Sequence, residues 1–587
     1  MSRLWQFRKA GASKAGTIAA SAAGTDARIA ADWRRFSPLT LLPPKLSPPK
    51  LSPWLLGALI IAGLAAIPLV TIALSAPGEG LRGLTQLAPS VVGRYIGNTV
   101  FLMLVSGAIA ALIGTGTAWL ITACAFPGRR ILGWALVLPL AVPSYIAAYV
   151  YADLLDFSGP VQSALRAVTG WGVEDYAFPP VRSLIGGALI FALVLYPYIY
   201  LLARAAFETQ SLAQFRAARS LGASPARAFR RVALPAARPA IAGGLALVLM
   251  EVLADFGVAE YFAIPTFSTG IFRSWLAMGD RDAALGLAAL MLFFVIALVA
   301  LEAATRRGRS EARDGFNRQP SAEPLVALSP MGKLGALIAC ALPVLLGFAI
   351  PALHLASLSR QDAAIRAAAS LWSYASASLW LGLAVAAVTT ALALVLVFAK
   401  TRSGSALVAG VIRLATLGYA LPGALLAVGL LGPLSAFDQS LTGFARDQWG
   451  YAGGLVLTGT SLALIYALTV RFLTVAFNAL DGGMARIPPS LDAAARSLGA
   501  GPGRVLARIY IPLLRPSLLA ALALVLIDTL RELPATLILR PFNLETLATR
   551  TYRLASDERL VEASIPALIL LAVGLIPVIL LTRSRSG

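Results

Sequence analysis

The chain has 587 residues, of which 58% are hydrophobic and 13% charged, about half the charged share of an average soluble protein; its mean hydropathy is +0.78. Lysine and arginine number 49 against 28 acidic residues, a net charge of +21, and on so apolar a chain this excess points to cytoplasmic membrane loops rather than to nucleic acid. One histidine, His354, and two cysteines, Cys124 and Cys340, each in an apolar run, exclude His-based catalytic triads, HExxH zinc sites, haem held by two histidines and any disulfide framework.

Residues 1–53 are basic and rich in Ala, Ser and Pro, a composition that cannot bury a core and predicts a disordered cytoplasmic tail. The apolar run that follows is too long, and starts too far in, for a cleaved signal peptide. A spanning helix needs about 20 apolar residues, and that length predicts about twelve. The first six fall near 54–76, 97–124, 131–152, 184–205, 240–262 and 283–304. The second six fall near 334–356, 376–399, 406–434, 453–477, 517–540 and 563–582. The expected fold is an all-α integral membrane protein with two six-helix halves, 54–305 and 334–587, joined by a polar, basic cytoplasmic linker over 306–333. With the N-terminus placed inside, the inner loops and tails hold roughly 32 of the 49 basic residues and the outer loops about 12, so both termini are expected to be cytoplasmic. Acidic residues lean outward, among them Asp153, Asp156, Glu174, Asp175, Asp280, Asp282, Asp438 and Asp447.

The two halves carry a repeat at an offset of 277. Ala217-Ala218-Arg219-Ser220-Leu221-Gly222-Ala223 returns as Ala494-Ala495-Arg496-Ser497-Leu498-Gly499-Ala500, and Pro225, Arg227, Arg231, Pro235 and Arg238-Pro239 return as Pro502, Arg504, Arg508, Pro512 and Arg515-Pro516. An even number of spans per half makes the repeat parallel. Each copy reads as a short amphipathic helix, a Gly, and a basic second helix stopped by Pro ahead of the fifth span of its half. A basic helix lying on anionic headgroups is the plainer reading, but headgroup binding needs no matched Gly, Pro and Arg spacing.

These loops resemble the mark of type I ABC importer permeases, Glu-Ala-Ala, three residues, Gly, nine residues, Ile-x-Leu-Pro. The first copy has Ala217-Ala218, Gly222 and Val232-x-Leu234-Pro235; the second has Ala494-Ala495, Gly499 and Ile509-x-Ile511-Pro512. The leading Glu is Arg216 in one and Ala493 in the other. The resemblance implies coupling helices seated in a separate ATPase, one ATPase subunit per copy, so two copies of it. No stretch matches GxxxxGK(S/T), since Gly332-Lys333 is followed by Leu334. The chain is therefore expected to be no enzyme and to bind no cofactor; ATP and Mg²⁺ belong on the partner.

The same offset maps Glu251 onto Asp528 and Asp255 onto Glu532. On a continuous helix each pair shares a face at i, i+4, roughly 18 and 24 Å along from Pro239 or Pro516. Intramembrane acids mark a pathway or a partner, and four around a pseudo-twofold axis would attract hard cations and offer little to sulfate or phosphate. Ion pairing, with Arg531 as the local candidate, or burial as neutral carboxyls stays open.

Residues around the acids are similar to the fused twelve-span permeases of bacterial ferric iron importers: Asp255-Phe256-Gly257-Val258-Ala259-Glu260-Tyr261-Phe262, Glu532-Leu533-Pro534-Ala535-Thr536, and in the third span of each half Leu138-Pro139-Leu140-Ala141-Val142-Pro143-Ser144-Tyr145 and Tyr419-Ala420-Leu421-Pro422-Gly423. This resemblance implies a multi-pass protein of the bacterial inner membrane, a periplasmic iron-binding protein at the outer face, alternating access, and transient Fe³⁺ contacts at Glu251, Asp255, Asp528 and Glu532. Thiamine, polyamine or organophosphonate cargo is the alternative for the same machine; an ion-coupled secondary transporter or channel is the alternative of another class. Pro139, Pro143, Pro422 and Pro534 either free carbonyls for a cavity or are ordinary kinks. Tyr145, Tyr149 and Tyr419 are candidates to line the pathway, with interface anchoring placed ahead. His354 reads as a boundary residue rather than a metal ligand, and the cysteines as packing residues.

Overall fold

A computed structural model describes residues 53–208, 212–307, 326–403, 405–450 and 454–583; the basic tail up to residue 52 and the middle of the linker lie outside them. Long runs of Ala, Leu, Ile and Val become helices because only internally satisfied backbone is stable in hydrocarbon. Among the described residues, ten helices are long and apolar enough to cross a membrane, and twelve if each of two sharply bent helix pairs counts as one span. The sole extended pairing described is two residues long, Cys124–Ala125 beside Val326–Ala327. It holds the end of the linker against the C-terminal end of the second span.

Each half is built on the same trio. In the first, the second span (Pro89–Ala123), the fourth (Leu184–Ala206) and the fifth (Leu234–Ala254) pack on one another; in the second, the eighth (Leu371–Ser403), tenth (Ser461–Met484) and eleventh (Arg515–Arg531) do the same. Small residues set the spacing, as expected where helices cannot gain from expelling water. A Cβ added at Gly114 would lie 2.9 Å from Ile199 Cβ, and one at Gly244 would lie 2.7 Å from Ile199 Cα, so two helices close on one residue of the fourth span.

The first span of each half leaves its own trio and packs on the other half. Pro53–Ser75 lies along Ala406–Ala415 and Gly423–Trp449, the ninth span, while the seventh, Pro330–Leu358, packs against the third, Arg129–Leu155. Tyr466 donates to Leu64 O at 2.6 Å, and Tyr151 donates to Leu346 O. His354, expected at a span boundary, sits within this second exchange and pairs through Nε2 with Asp153 Oδ2 at 2.6 Å.

Four expected spans are not single rods. The third stops at Ala141 and restarts at Ser144, with Val142-Pro143 between, and the ninth stops at Ala420 and restarts at Gly423; in each a proline denies the helix an amide and biases its neighbour to extended backbone. The fifth ends at Ala254 and the eleventh at Arg531, well short of the expected 262 and 540. Conversely Pro235 does not stop a helix: residues Pro225–Ala254 run on as one helical stretch, whereas the second copy bends by 75° between Leu513 and Arg515.

Candidate functional site

A cavity of about 270 Å³ lies between the halves, lined by all four expected acids, by Tyr145, Tyr198 and Tyr419, and by Arg471 and Arg531. The i, i+4 stacking of the acids does not occur. Asp255 has left the helix, with φ −67° and ψ 137°, and Glu532 likewise with φ −72° and ψ 128°, so inner and outer acids no longer share a helical face. The cause is local: each outer acid lies one position ahead of the N-cap, Phe256 or Leu533, of the short helix after it and gives its carboxylate to that helix's free amides. Asp255 Oδ1 accepts from Val258 N at 2.9 Å and Oδ2 from Ser144 Oγ at 2.7 Å. Glu532 accepts from Ala535 N at 3.0 Å, Thr536 N at 2.9 Å and Thr536 Oγ1 at 2.7 Å.

The fourth donor to Glu532 is Arg471, Nη1 to Oε1 at 3.3 Å. The expected local partner, Arg531, instead donates to Leu140 O at 3.2 Å. The difference between the halves lies at the residue after the helix-breaking proline. In the first half this is Ser144, whose hydroxyl meets the outer acid directly; in the second it is Gly423, where a Cβ would lie 2.5 Å from Arg471 Nη1 and 2.6 Å from Glu532 Oε1. Glycine leaves the room the guanidinium fills.

Glu251 and Asp528 differ from the outer acids. Both are part-exposed to the cavity, and among the described residues neither has a hydrogen bond or an ion pair, though Arg471 and Arg531 act on both through charge. The described residues hold no group of three acids, histidines or cysteines placed to grip a metal ion. Four acids thus divide into two that hold backbone and two that face the space. The tyrosines also depart from the expected interface role: Tyr145 and Tyr149 are buried inside the bundle, and Tyr145 and Tyr419 line the cavity. Tyr145 and Tyr149 belong to an apolar cluster with Phe256 and Leu533, the residues that directly follow Asp255 and Glu532; all but Tyr149 also line the cavity.

At the repeated loops, Leu212–Ser220 and Pro489–Ser497 are short helices. They end at Gly222, φ +84°, and Gly499, φ +77°, with Ala223 N donating to Ala218 O at 3.1 Å and Ala500 N to Ala495 O at 3.0 Å, the six-to-one closure of a left-handed helix stop. Nothing lies within 4 Å of a Cβ built on either glycine, so backbone conformation, and not crowding, requires them. Arg231 and Arg508 are exposed, and Ala217 and Ala494 are exposed beside half-buried Ala218 and buried Ala495; Pro235 is half-buried and Pro512 exposed.

A sequence model of the family described as binding-protein-dependent transport system inner membrane component matches residues 84–306, which include the first loop. Over that stretch the chain is similar to these permeases. It is 25% identical over 522 residues, 88% of its own length and 95% of the other, to the Fe(3+)-transport system permease protein FbpB 2 of Haemophilus influenzae. The sulfate transport system permease protein CysW of Escherichia coli is 29% identical over 34% of this chain and 66% of its own. A probable molybdenum ABC transporter permease protein of Haloferax volcanii is 28% identical over 37% of this chain and 77% of its own.

Several residues that the structure brings to these sites are easily passed over in the sequence. Arg471 lies 61 positions before Glu532 and offers no local signal. Leu221 and Leu498, 88% and 87% exposed, are the matched apolar tips of the two loops, and the repeat itself marked them. The loop helices are held differently: Phe215 is buried against Trp119, which also meets Phe207 and Phe229, whereas the matching Asp492 pairs with Arg402 at 3.4 Å.

Proposed function

We propose that this chain is the membrane subunit of an ATP-driven, binding-protein-dependent importer of ferric iron in a bacterial inner membrane, with both termini cytoplasmic. The observation that carries the iron reading is the open pair Glu251 and Asp528, one from each half, facing a shared cavity; hard cations prefer such oxygen ligands. Similarity to an Fe(3+) permease over nearly the whole chain supports it.

In this reading two ATPase subunits receive Leu221 and Leu498 with the helices that bear them. ATP binding draws the loops together, and the unbroken helix from Pro225 to Ala254 carries that motion to Glu251. A periplasmic iron-binding protein delivers the cation when Phe256 and Leu533 part, and hydrolysis on the partner resets the bundle. Each partner must prefer one state for the cycle to run. The permease supplies no bond-making group; ATP and Mg²⁺ act on the ATPase.

Uptake of ⁵⁵Fe³⁺ by cells with and without the gene, in the presence of excess thiamine, putrescine, 2-aminoethylphosphonate, sulfate or molybdate, tests the cargo. Uptake lost on deletion and not competed supports iron; unchanged uptake in a strain without a redundant importer refutes it. Arg471 and Arg531 in the cavity favour a second reading, an oxyanion importer, which the sulfate and molybdate arms detect.

A further inference from the structure

Arg471, on the tenth span, is a cation that the scaffold holds loosely. Its one hydrogen bond among the described residues runs from Nη1 to Glu532 Oε1 at 3.3 Å. That is the longest of the four bonds Glu532 accepts; the others, at 2.7–3.0 Å, come from Ala535 and Thr536. Glu532 is therefore satisfied without the arginine. The Arg471 side chain is 16% exposed where that of Glu532 is 2%, and it lines the same cavity as Glu251 and Asp528.

The open pair needs what Glu532 can spare. Two carboxylates inside a membrane are costly unless a positive charge lies with them, and Arg471 already acts on both through charge. A guanidinium never loses its charge and presents five donors in a flat fork, enough to bridge two carboxylates. Arg531, the second arginine on the cavity, is tied to Leu140 O at 3.2 Å, and its Nε is buried. Arg471 is the one free to move, and the room beside Gly423 is its place against Glu532.

We propose that Arg471 is a tethered stand-in for the cargo: it bridges Glu251 and Asp528 between loads, and withdraws to Glu532, into the room left by Gly423, when a metal cation takes the pair. The structure shows the withdrawn arrangement. This rests on the cation reading above and goes beyond it, because it makes Arg471 a specificity-determining residue. A monovalent ion gains no more from the two acids than the guanidinium it must displace, whereas a trivalent ion at the same distance gains about three times as much. The exchange therefore selects charge, and the returning arginine helps to expel the ion when the cavity opens to the other side.

The test uses the full chain in lipid nanodiscs and terbium(III), a soluble hard trivalent cation read by its luminescence. Gly423→Ala fills the room beside Glu532 and drives the guanidinium toward the pair, so terbium should bind roughly tenfold or more weakly than to the wild type. Arg471→Met should bind it roughly tenfold or more tightly, and in that background Gly423→Ala should change nothing. Wild-type affinity in Gly423→Ala overturns the proposal, as does an equal loss with and without Arg471, which would trace the effect to the backbone. If Gly423→Ala does not fold, Arg471→Met decides alone: tighter binding supports the tether, and unchanged affinity overturns it. If terbium binds neither the wild type nor Arg471→Met, the cation reading falls and the tether with it. ⁵⁵Fe³⁺ uptake that depends on the gene, beside equal terbium affinity in all the variants, leaves the cargo reading and removes the tether.

Discussion

Replacing Gly423 by alanine adds one methyl group, and the structure sets what it meets. The new Cβ would lie 2.5 Å from Arg471 Nη1, 2.6 Å from Glu532 Oε1 and 2.9 Å from Ala535 N. Ala535 N is backbone, and Glu532 is fixed by its bonds to Ala535 and Thr536, so the guanidinium must move. Breaking a buried ion pair by losing one partner costs about 3–5 kcal/mol. Glu532 keeps three other donors and Arg471 can turn into the cavity, so the loss reduces toward that of one charge-assisted hydrogen bond, about 2–3 kcal/mol. Gly335→Ala is the control. It adds the same methyl within a helix with nothing in reach and should gain about 0.5–1 kcal/mol. Unfolding of both variants in mixed micelles, followed by tryptophan fluorescence, should separate them by about 3 kcal/mol. In an Arg471→Met background the Gly423→Ala penalty should fall by about 1–2 kcal/mol, since the clash has lost its partner. Equal stability of the two alanine variants, or an undiminished penalty without Arg471, would refute the reasoning.

Other expectations follow from the division of the acids and from the loops. Glu251→Gln with Asp528→Asn should abolish cation transport at wild-type thermal stability, whereas Asp255→Asn with Glu532→Gln should lower stability too, by about 1.5–3 kcal/mol for each charged bond lost; transport and melting measured on the same preparations decide it. Gly222→Ala or Gly499→Ala should already uncouple ATP hydrolysis from transport, because an L-residue costs about 1–2 kcal/mol in the left-handed region; a wild-type coupling ratio in reconstituted vesicles would count against the loops. Leu221→Asp with Leu498→Asp should abolish co-purification of the ATPase, and retention of the complex would remove these residues from the interface. Asp438 is fully buried and accepts from Val456, Leu457 and Thr458 amides at 2.6–3.2 Å; Asp438→Asn should speed proteolysis of the segment after residue 454, and unchanged cleavage would show that the clamp is dispensable.

The spans were legible because hydrocarbon leaves the backbone so few options, and the loops because their glycines and prolines recur at a fixed offset. The ends of the fifth and eleventh spans were not. Val252 to Phe262 is apolar enough to continue a helix, and only the competing use of the Asp255 carboxylate by the next helix's amides stops it. The places of Tyr145 and Tyr149 are not legible for a related reason: a tyrosine in a membrane sequence suits an interface or an interior equally well, and the neighbours that decide, Phe256 and Tyr261 among them, lie about 110 positions away. Arg471 required the tertiary fold itself, since its place exists only because Gly423 lacks a side chain.

The exchange of first spans bears on how the protein is made. Pro53–Ser75 leaves the ribosome about 300 residues before Leu371 begins the surface it packs against, an interval of roughly 15–60 s at ordinary rates of synthesis. Throughout it the earliest helix stands in lipid without its neighbour, and the third span waits in the same way for the seventh. Neither half can reach its finished form before the other has been translated. Severed within the linker and expressed together, the two pieces should find each other, because each carries the helix the other lacks; expressed singly, each would present an open seat to the membrane's quality-control proteases.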